Sequence, residues 1–303
     1  MTEVAEAGPP FRGARLRLSA ALWRRPWLKA AGLLALPVLA FVVVYVGALV
    51  ALFVSAFWQV DAFTGKVVHD WTLSNFTTII HDSVYRDIVF RTILMAAAVT
   101  LTDAVLAFPL AFFMARVAPR RLRMVLFVLV LLPLWSSYLV RIYSWRLILA
   151  KNGALNWALN AIGLPDANLA YTNTAMWIVF SYIWLPFMIL PVYAALERIP
   201  NSYLEASRDL GARGWTTLRR VVLPLALPGL VAGSIFTFSL TLGDYVTPAL
   251  VGGAGSQFIG NVVFESVGIA NNVPFAAAYA TVPLLIMAVY LVIARRLGAF
   301  EAL

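Results

Sequence analysis

The chain has no cysteine among its 303 residues. Disulfides, thiol nucleophiles and Cys-ligated metals are therefore excluded. It has only two histidines, His69 and His81, both in one polar segment, where they are expected as solvated residues rather than ligands. Charge is scarce: 12% of residues are charged and 62% hydrophobic. Soluble domains carry about a quarter charged residues, so a water-soluble globule is excluded. No G-x-x-x-x-G-K-[ST], H-E-x-x-H or G-x-S-x-G run occurs. The chain thus offers no phosphate-cradling loop, zinc protease helix or nucleophile elbow, and no catalytic residue or metal site is assigned to it. No internal repeat, such as marks the halves of many secondary transporters, is visible.

What is present is apolar length. Six stretches stand out, at Ala30–Trp58, Ile88–Met114, Met124–Trp145, Asn173–Leu196, Leu223–Leu242 and Phe275–Ala294. Each is long enough to cross a hydrocarbon layer of about 30 Å as a helix. Helices are the expected form, because lipid offers backbone polar groups no other partner. The spacing therefore predicts an all-α membrane protein of six transmembrane helices. Residues 1–29 are expected as an N-terminal tail, 30–296 as the membrane domain and 297–303 as a short C-terminal tail. The first stretch reads as a retained anchor, since its apolar run is too long for a cleaved signal peptide. Just before it, Leu16–Trp27 mixes Leu and Trp with arginine, as a surface-lying helix or a simple topology anchor does.

The net charge of +9 is not a nucleic-acid signature, because the positive residues cluster beside the apolar runs. Seventeen of the 23 Lys and Arg residues fall on one side: six before the first stretch, four between the second and third, five between the fourth and fifth, and two in the tail. The positive-inside rule then places both termini, and the 197–222 segment, in the cytoplasm of a multi-pass membrane protein.

That segment is the most informative part of the chain. Ser202-x-x-Glu205 has the form of a capping box. Ala206 and Ser207 are small, and Gly211 suits the left-handed residue that ends a helix. A helix over Ser202–Leu210 is expected, then a second over Trp215–Val222, with Leu223-Pro224 opening the fifth span. Four arginines, Arg208, Arg213, Arg219 and Arg220, surround this knob. Glu205-Ala206-Ser207 with Gly211, then nine residues, then Val221-Val222-Leu223-Pro224, resembles the EAA loop of type I ABC importer permeases. Ser207 stands where that family often has Ala, and Val221 where it has Ile.

The resemblance extends from about Trp71 to Arg296 and is nearest to the "B" permease of the spermidine/putrescine branch. It is carried by Leu73-Ser74-Asn75-Phe76, Ala107-Phe108-Pro109-Leu110-Ala111 with Ala115-Arg116, Leu132-Pro133-Leu134-Trp135, Val140-Arg141-Ile142-Tyr143-Ser144-Trp145, Leu185-Pro186-Phe187-Met188 and Gly243-Asp244-Tyr245-Val246-Thr247-Pro248. Permeases for opines, phosphonates and other organic cations share much of this. The resemblance implies a bacterial inner-membrane subunit that couples to ATP hydrolysis through Glu205, Ala206, Ser207, Gly211, Leu223 and Pro224. It further implies two ATP-binding subunits carrying the ATP and Mg, a second permease subunit (a paralogue or another copy) and an external substrate-binding protein. No cofactor is expected on this chain.

For the path itself, a polyamine needs carboxylates for its ammonium groups and aromatic faces for cation–π contact. Asp244 with Tyr245, at the outer end of the fifth span, fits; the alternative is a structural acid at a helix end. Asp103 lies deep in the second span, either facing the cavity or bonded to a neighbouring helix. Glu265 and Trp135 complete the candidates, and Arg141 is expected to pair with an acid or with headgroups. The prolines inside the spans would bend them.

Overall fold

A computed structural model describes residues 26–61, 63–253 and 255–296. Most of the expected N-terminal tail, including nearly all of Leu16–Trp27, and the whole tail 297–303 lie outside these residues. The chain divides into two units, Met1–Val54 and Ser55–Leu303.

The first unit contributes nearly all of helix α1 (Pro26–Ser55), whose span of membrane length, Ala30–Ser55, carries no charge. Twenty-six residues rise about 39 Å, enough to cross a bilayer. The helix begins at Pro26, inside the expected tail, and widens into a π-helical stretch at Phe41–Val46, just after Pro37.

The second unit opens with a hairpin, β1 (Gln59–Val60) and β2 (Val67–Val68), paired antiparallel with Gln59 opposite Val68. At its tip the exposed Asp61 carboxylate accepts from the Thr64 amide at 2.7 Å and the Phe63 amide at 3.0 Å. These bonds, with that from the Thr64 hydroxyl, hold its pKa below the ordinary carboxylate value. Helix α2 (Ser74–His81) follows, held by Asn75, whose buried amide donates to the carbonyls of Ala56 (2.9 Å) and Trp58 (2.7 Å).

The remaining spans are α3 (Ser83–Val117), α7 (Asn173–Arg198), α9 (Gly214–Gly243) and α12 (Val273–Arg296). Between α3 and α7 lies a bent pair, α4 (Arg120–Trp135) and α5 (Tyr138–Ile148), meeting at 94°. The expected continuous third span, Met124–Trp145, is therefore broken. Pro133 lacks the N–H that would continue the ladder, Ser136 and Ser137 turn extended, and the Ser136 hydroxyl donates to the Pro133 carbonyl at 2.8 Å. With this pair counted as one span, the described residues contain up to six.

Short helices lie between the spans: α6 (Ala154–Ala161), α8 (Asn201–Asp209), close to the helix expected over Ser202–Leu210, α10 (Val246–Val251) and α11 (Ile259–Gly268). The stretch 243–274 is thus mostly helical and packed. Asn261 closes it, accepting from the Phe258 amide at 3.1 Å and donating to the Tyr245 carbonyl at 2.8 Å.

Helices α3, α7 and α9 form the centre. Ala107, Ala111 and Met114 of α3 pack with Met188, Val192 and Leu196 of α7 and Ala226 of α9. Small residues permit the approach, as is usual between membrane helices. A Cβ at Gly229 would stand 2.5 Å from Ala195 Cβ, and one at Gly233 would stand 2.6 Å from Met188 Sδ. Polar ties lock the register: the Thr237 hydroxyl donates to Thr100 at 3.3 Å, and Trp177 Nε1 donates to Thr102 at 3.0 Å.

Candidate coupling helix and translocation path

The knob begins where α7 ends. Pro200 adopts extended geometry and α8 starts immediately after it at Asn201. The expected capping box does not form: no side chain caps this end, and Ser202 already lies inside the helix. The helix closes as expected at Gly211, with φ of 77°. The Ala212 amide donates to the Ser207 carbonyl at 3.1 Å and the Gly211 amide to the Arg208 carbonyl at 2.8 Å. This is the paired-bond end that a left-handed glycine allows.

Ser207 has a partner that its small size alone did not suggest. It is buried, and its hydroxyl shares a 2.9 Å hydrogen bond with that of the buried Thr217. An alanine here leaves the Thr217 hydroxyl without that bond, which gives the departure from the family pattern a structural use. Glu205 and Ala206 are exposed. So are Tyr203, Leu210 (88% exposed) and Trp215 (72%). These are large apolar side chains exposed on an otherwise polar, Arg-rich segment. Sequence reading passed over them, although their placement in an otherwise Arg-rich segment was the available signal.

The second expected short helix is instead the opening of α9. Gly214–Thr217 passes into a π-helical turn, Leu218–Val222, and continues without a break into Leu223–Gly243. The Leu223 amide reaches back to the Leu218 carbonyl, and this wide turn precedes Pro224, whose ring would crowd a regular turn. Leu223 and Pro224 therefore lie within α9, about two turns past its start.

At the other end of α9, Asp244 is 8% exposed. One carboxylate oxygen accepts from the amides of Val246 (2.8 Å) and Thr247 (3.3 Å). The other accepts from the Thr247 hydroxyl at 2.7 Å and from the Tyr138 phenol. Asp244 thus starts α10 and holds α5 against it. Tyr138 stacks on Trp184 at 5.8 Å, and the Arg141 guanidinium lies 5.9 Å from the Tyr138 ring centre. Among the described residues Arg141 has no acid partner: its Nε and one terminal nitrogen are buried without a hydrogen bond.

Tyr245 is partly exposed and stacks on Phe264 at 4.7 Å. Glu265 lines a cavity of about 460 Å³ with Tyr171, Gln257 and Asn261, and the Gln257 amide donates to its oxygens at 3.1 and 3.0 Å. Trp135 is 91% exposed at the α4–α5 break. Asp103 is fully buried on α3, both oxygens without a hydrogen bond, as are the Ser181 hydroxyl and Trp184 Nε1 on α7. The candidates therefore do not converge on one cluster. Asp244 gathers Tyr138 and Thr247, while Glu265 and Asp103 occupy separate settings. His69 packs edge-on against Trp58 at 4.4 Å, and no group of metal-ligating side chains occurs among the described residues.

Bent apolar spans around a tightly packed centre, with a short helix between the fourth and fifth, fit an ABC importer permease. Residues 107–300 match the family of binding-protein-dependent transport system inner membrane components, and the chain belongs to that family. It is 46% identical over 307 residues to the inner membrane ABC transporter permease protein YdcU of Escherichia coli K12, covering 97% of each chain. It is 34% identical over 235 residues to the spermidine/putrescine transport system permease protein PotB of the same organism, covering 77% of this chain and 84% of PotB. The fold matches a bacterial alginate ABC transporter crystallised with an alginate pentasaccharide-bound periplasmic protein, with a TM-score of 0.75 at 17% identity. That match covers 93% of this chain and 97% of the other.

Proposed function

We propose that this chain is the membrane-spanning subunit of an ATP-driven importer that takes up polyamines of the spermidine/putrescine type by alternating access. The observation that carries the coupling half is the Glu205–Gly211 helix, closed by a left-handed glycine, tied to α9 through Ser207 and Thr217, and exposing Tyr203, Leu210 and Trp215. ATP and Mg belong to two partner ATP-binding subunits docked on that helix. A second permease subunit completes the path, and an external binding protein delivers the substrate. Both termini and the knob face the cytoplasm, in line with the Lys and Arg distribution. Residues 1–29, 30–296 and 297–303 are the tail, membrane domain and tail of this subunit, with 197–222 as its coupling loop.

The substrate class rests on the likeness to PotB. In this reading the cation meets Glu265, Tyr245 and Trp135 first. Asp244 acts at least as much by holding Tyr138 as by its own charge, and Asp103 supplies a deeper acid. The same importer class acting on an opine, another organic cation or a phosphonate is the second reading, favoured by the breadth of the resemblance and by the more similar YdcU, whose name specifies no substrate.

Uptake of labelled spermidine and putrescine in cells lacking the gene, with and without its restoration, tests the proposal. Restored uptake that disappears when the partner ATP-binding subunit is inactivated is the expected result. Uptake indifferent to that subunit would refute the importer reading. Co-purification with the subunit but no polyamine uptake would move the substrate to a sister branch.

A further inference from the structure

We infer that Arg116 is a positioning residue that fastens the start of the coupling helix to two membrane spans. This inference rests on the coupling role proposed above for residues 201–211. Arg116 sits in the last turn of α3, within a π-helical stretch, Phe113–Val117, that widens the helix end. Its guanidinium faces the end of α7. One terminal nitrogen donates to the carbonyls of Leu196 and Ile199, and the other donates to Asn201 Oδ1 at 2.9 Å.

These acceptors are not incidental. The carbonyls at a helix C-terminus have no intrahelical donor. Here the residue four places after Leu196 is Pro200, which has no N–H to offer, and the backbone donor Leu196 receives instead is the Ile199 amide, at a long 3.4 Å. Ile199 lies just past the last helical residue, and the Tyr203 amide bonds to Pro200 instead, at 3.2 Å. A cation at the negative end of the α7 dipole is favourable, and a planar fork of donors can serve acceptors on both elements at once. Asn201 is the first residue of α8, so its side chain is held by Arg116 rather than used as a cap.

The consequence is mechanical. Ser207 ties the last turn of the coupling helix to α9, and Arg116 ties its beginning to α3 and α7. A displacement of α8 is then passed to all three central spans. The nearby Arg123–Glu197 pair, 3.7 Å apart and with both side chains partly exposed, is a surface contact and a weak substitute.

The test uses the importer purified with its partner subunits in liposomes, comparing Arg116→Ala, Arg116→Lys and Asn201→Ala with wild type. The expected result is an intact complex in which substrate carried per ATP hydrolysed falls about tenfold in Arg116→Ala, as loss of charge-assisted bonds implies. Arg116→Lys retains the charge but not the fork and falls nearly as far; Asn201→Ala falls less. The second readout exploits the absence of cysteine. Spin labels at Val117→Cys and Arg208→Cys report the α3–α8 separation, expected as one narrow distribution that broadens in Arg116→Ala and in Arg116→Lys. Unchanged transport per ATP together with an unchanged distribution overturns the inference. A broadened distribution in a complex whose transport ignores ATP hydrolysis would keep the clamp and overturn the coupling reading. Should Arg116→Ala fail to accumulate, Arg116→Lys decides by the same two readouts.

Discussion

Gly211→Val lowers substrate uptake about tenfold or more while the protein still inserts and accumulates. The backbone at 211 has φ of 77°, a conformation that costs a residue with a Cβ about 1–3 kcal/mol. The added side chain meets nothing within 4 Å, so the penalty is confined to the backbone and does not spread into the core. The chain escapes the strain by giving up the closing bonds from Ala212 and Gly211, which frees the end of α8 and the exposed Leu210 beside it. A shift of even about 1.4 kcal/mol toward the undocked form reduces productive coupling tenfold. Gly211→Asn is the control, because asparagine tolerates the left-handed region; it retains most uptake. Initial uptake rates and co-purification of the ATP-binding subunit check this. Wild-type uptake by Gly211→Val would show that the helix end is not needed in this form.

Gly229→Val removes the protein from the membrane rather than uncoupling it. A Cβ alone at 229 would stand 2.5 Å from Ala195 Cβ and 2.7 Å from the Pro191 carbonyl oxygen. The latter is backbone and cannot rotate away, so α7 and α9 must separate. Overpacking of this kind costs typically about 1–3 kcal/mol for small additions, and two further methyl groups at a backbone contact exceed that. The same separation pulls Gly233 from Met188 and disturbs the packing of Ala226 with Leu196. Gly243→Ala, where a Cβ meets nothing within 4 Å, behaves as wild type. Quantifying membrane-inserted protein and its thermal unfolding in detergent distinguishes the two variants. Normal accumulation and unfolding of Gly229→Val would contradict the close α7–α9 approach.

Much of this architecture was legible in the sequence because lipid imposes few solutions. Long uncharged runs have to be helices, and five of the six expected stretches are continuous ones. The third is not, because hydropathy counts Pro133 and the two serines after it as tolerable in a span, whereas a proline followed by residues that can satisfy freed carbonyls permits a right-angle break. Helices α10 and α11 were missed for the opposite reason. They are shorter than a span, and their helical signal is diluted by the glycines between them. The left-handed Gly211 was readable, since few residues other than glycine take that position. The Ser207–Thr217 bond and the Arg116 clamp were not, because they join residues 10 and 85 positions apart and depend on where the helix ends meet. Asp244 illustrates the limit at a single residue: its neighbours in sequence suggest a cation site, but its four hydrogen bonds, one of which orders Tyr138, depend on how the chain folds.

The most direct test of the account is a photo-crosslinking amino acid placed at position 210 in living cells. Leu210 is exposed, lies beside the closing glycine and makes no contribution to the buried core. The prediction is a single dominant adduct with an ATP-binding subunit, strengthened when ATP is trapped and absent from the same probe at Trp135. Adducts with lipid or with no protein partner, in a complex that still imports, would contradict the assignment of 201–211 as the coupling helix.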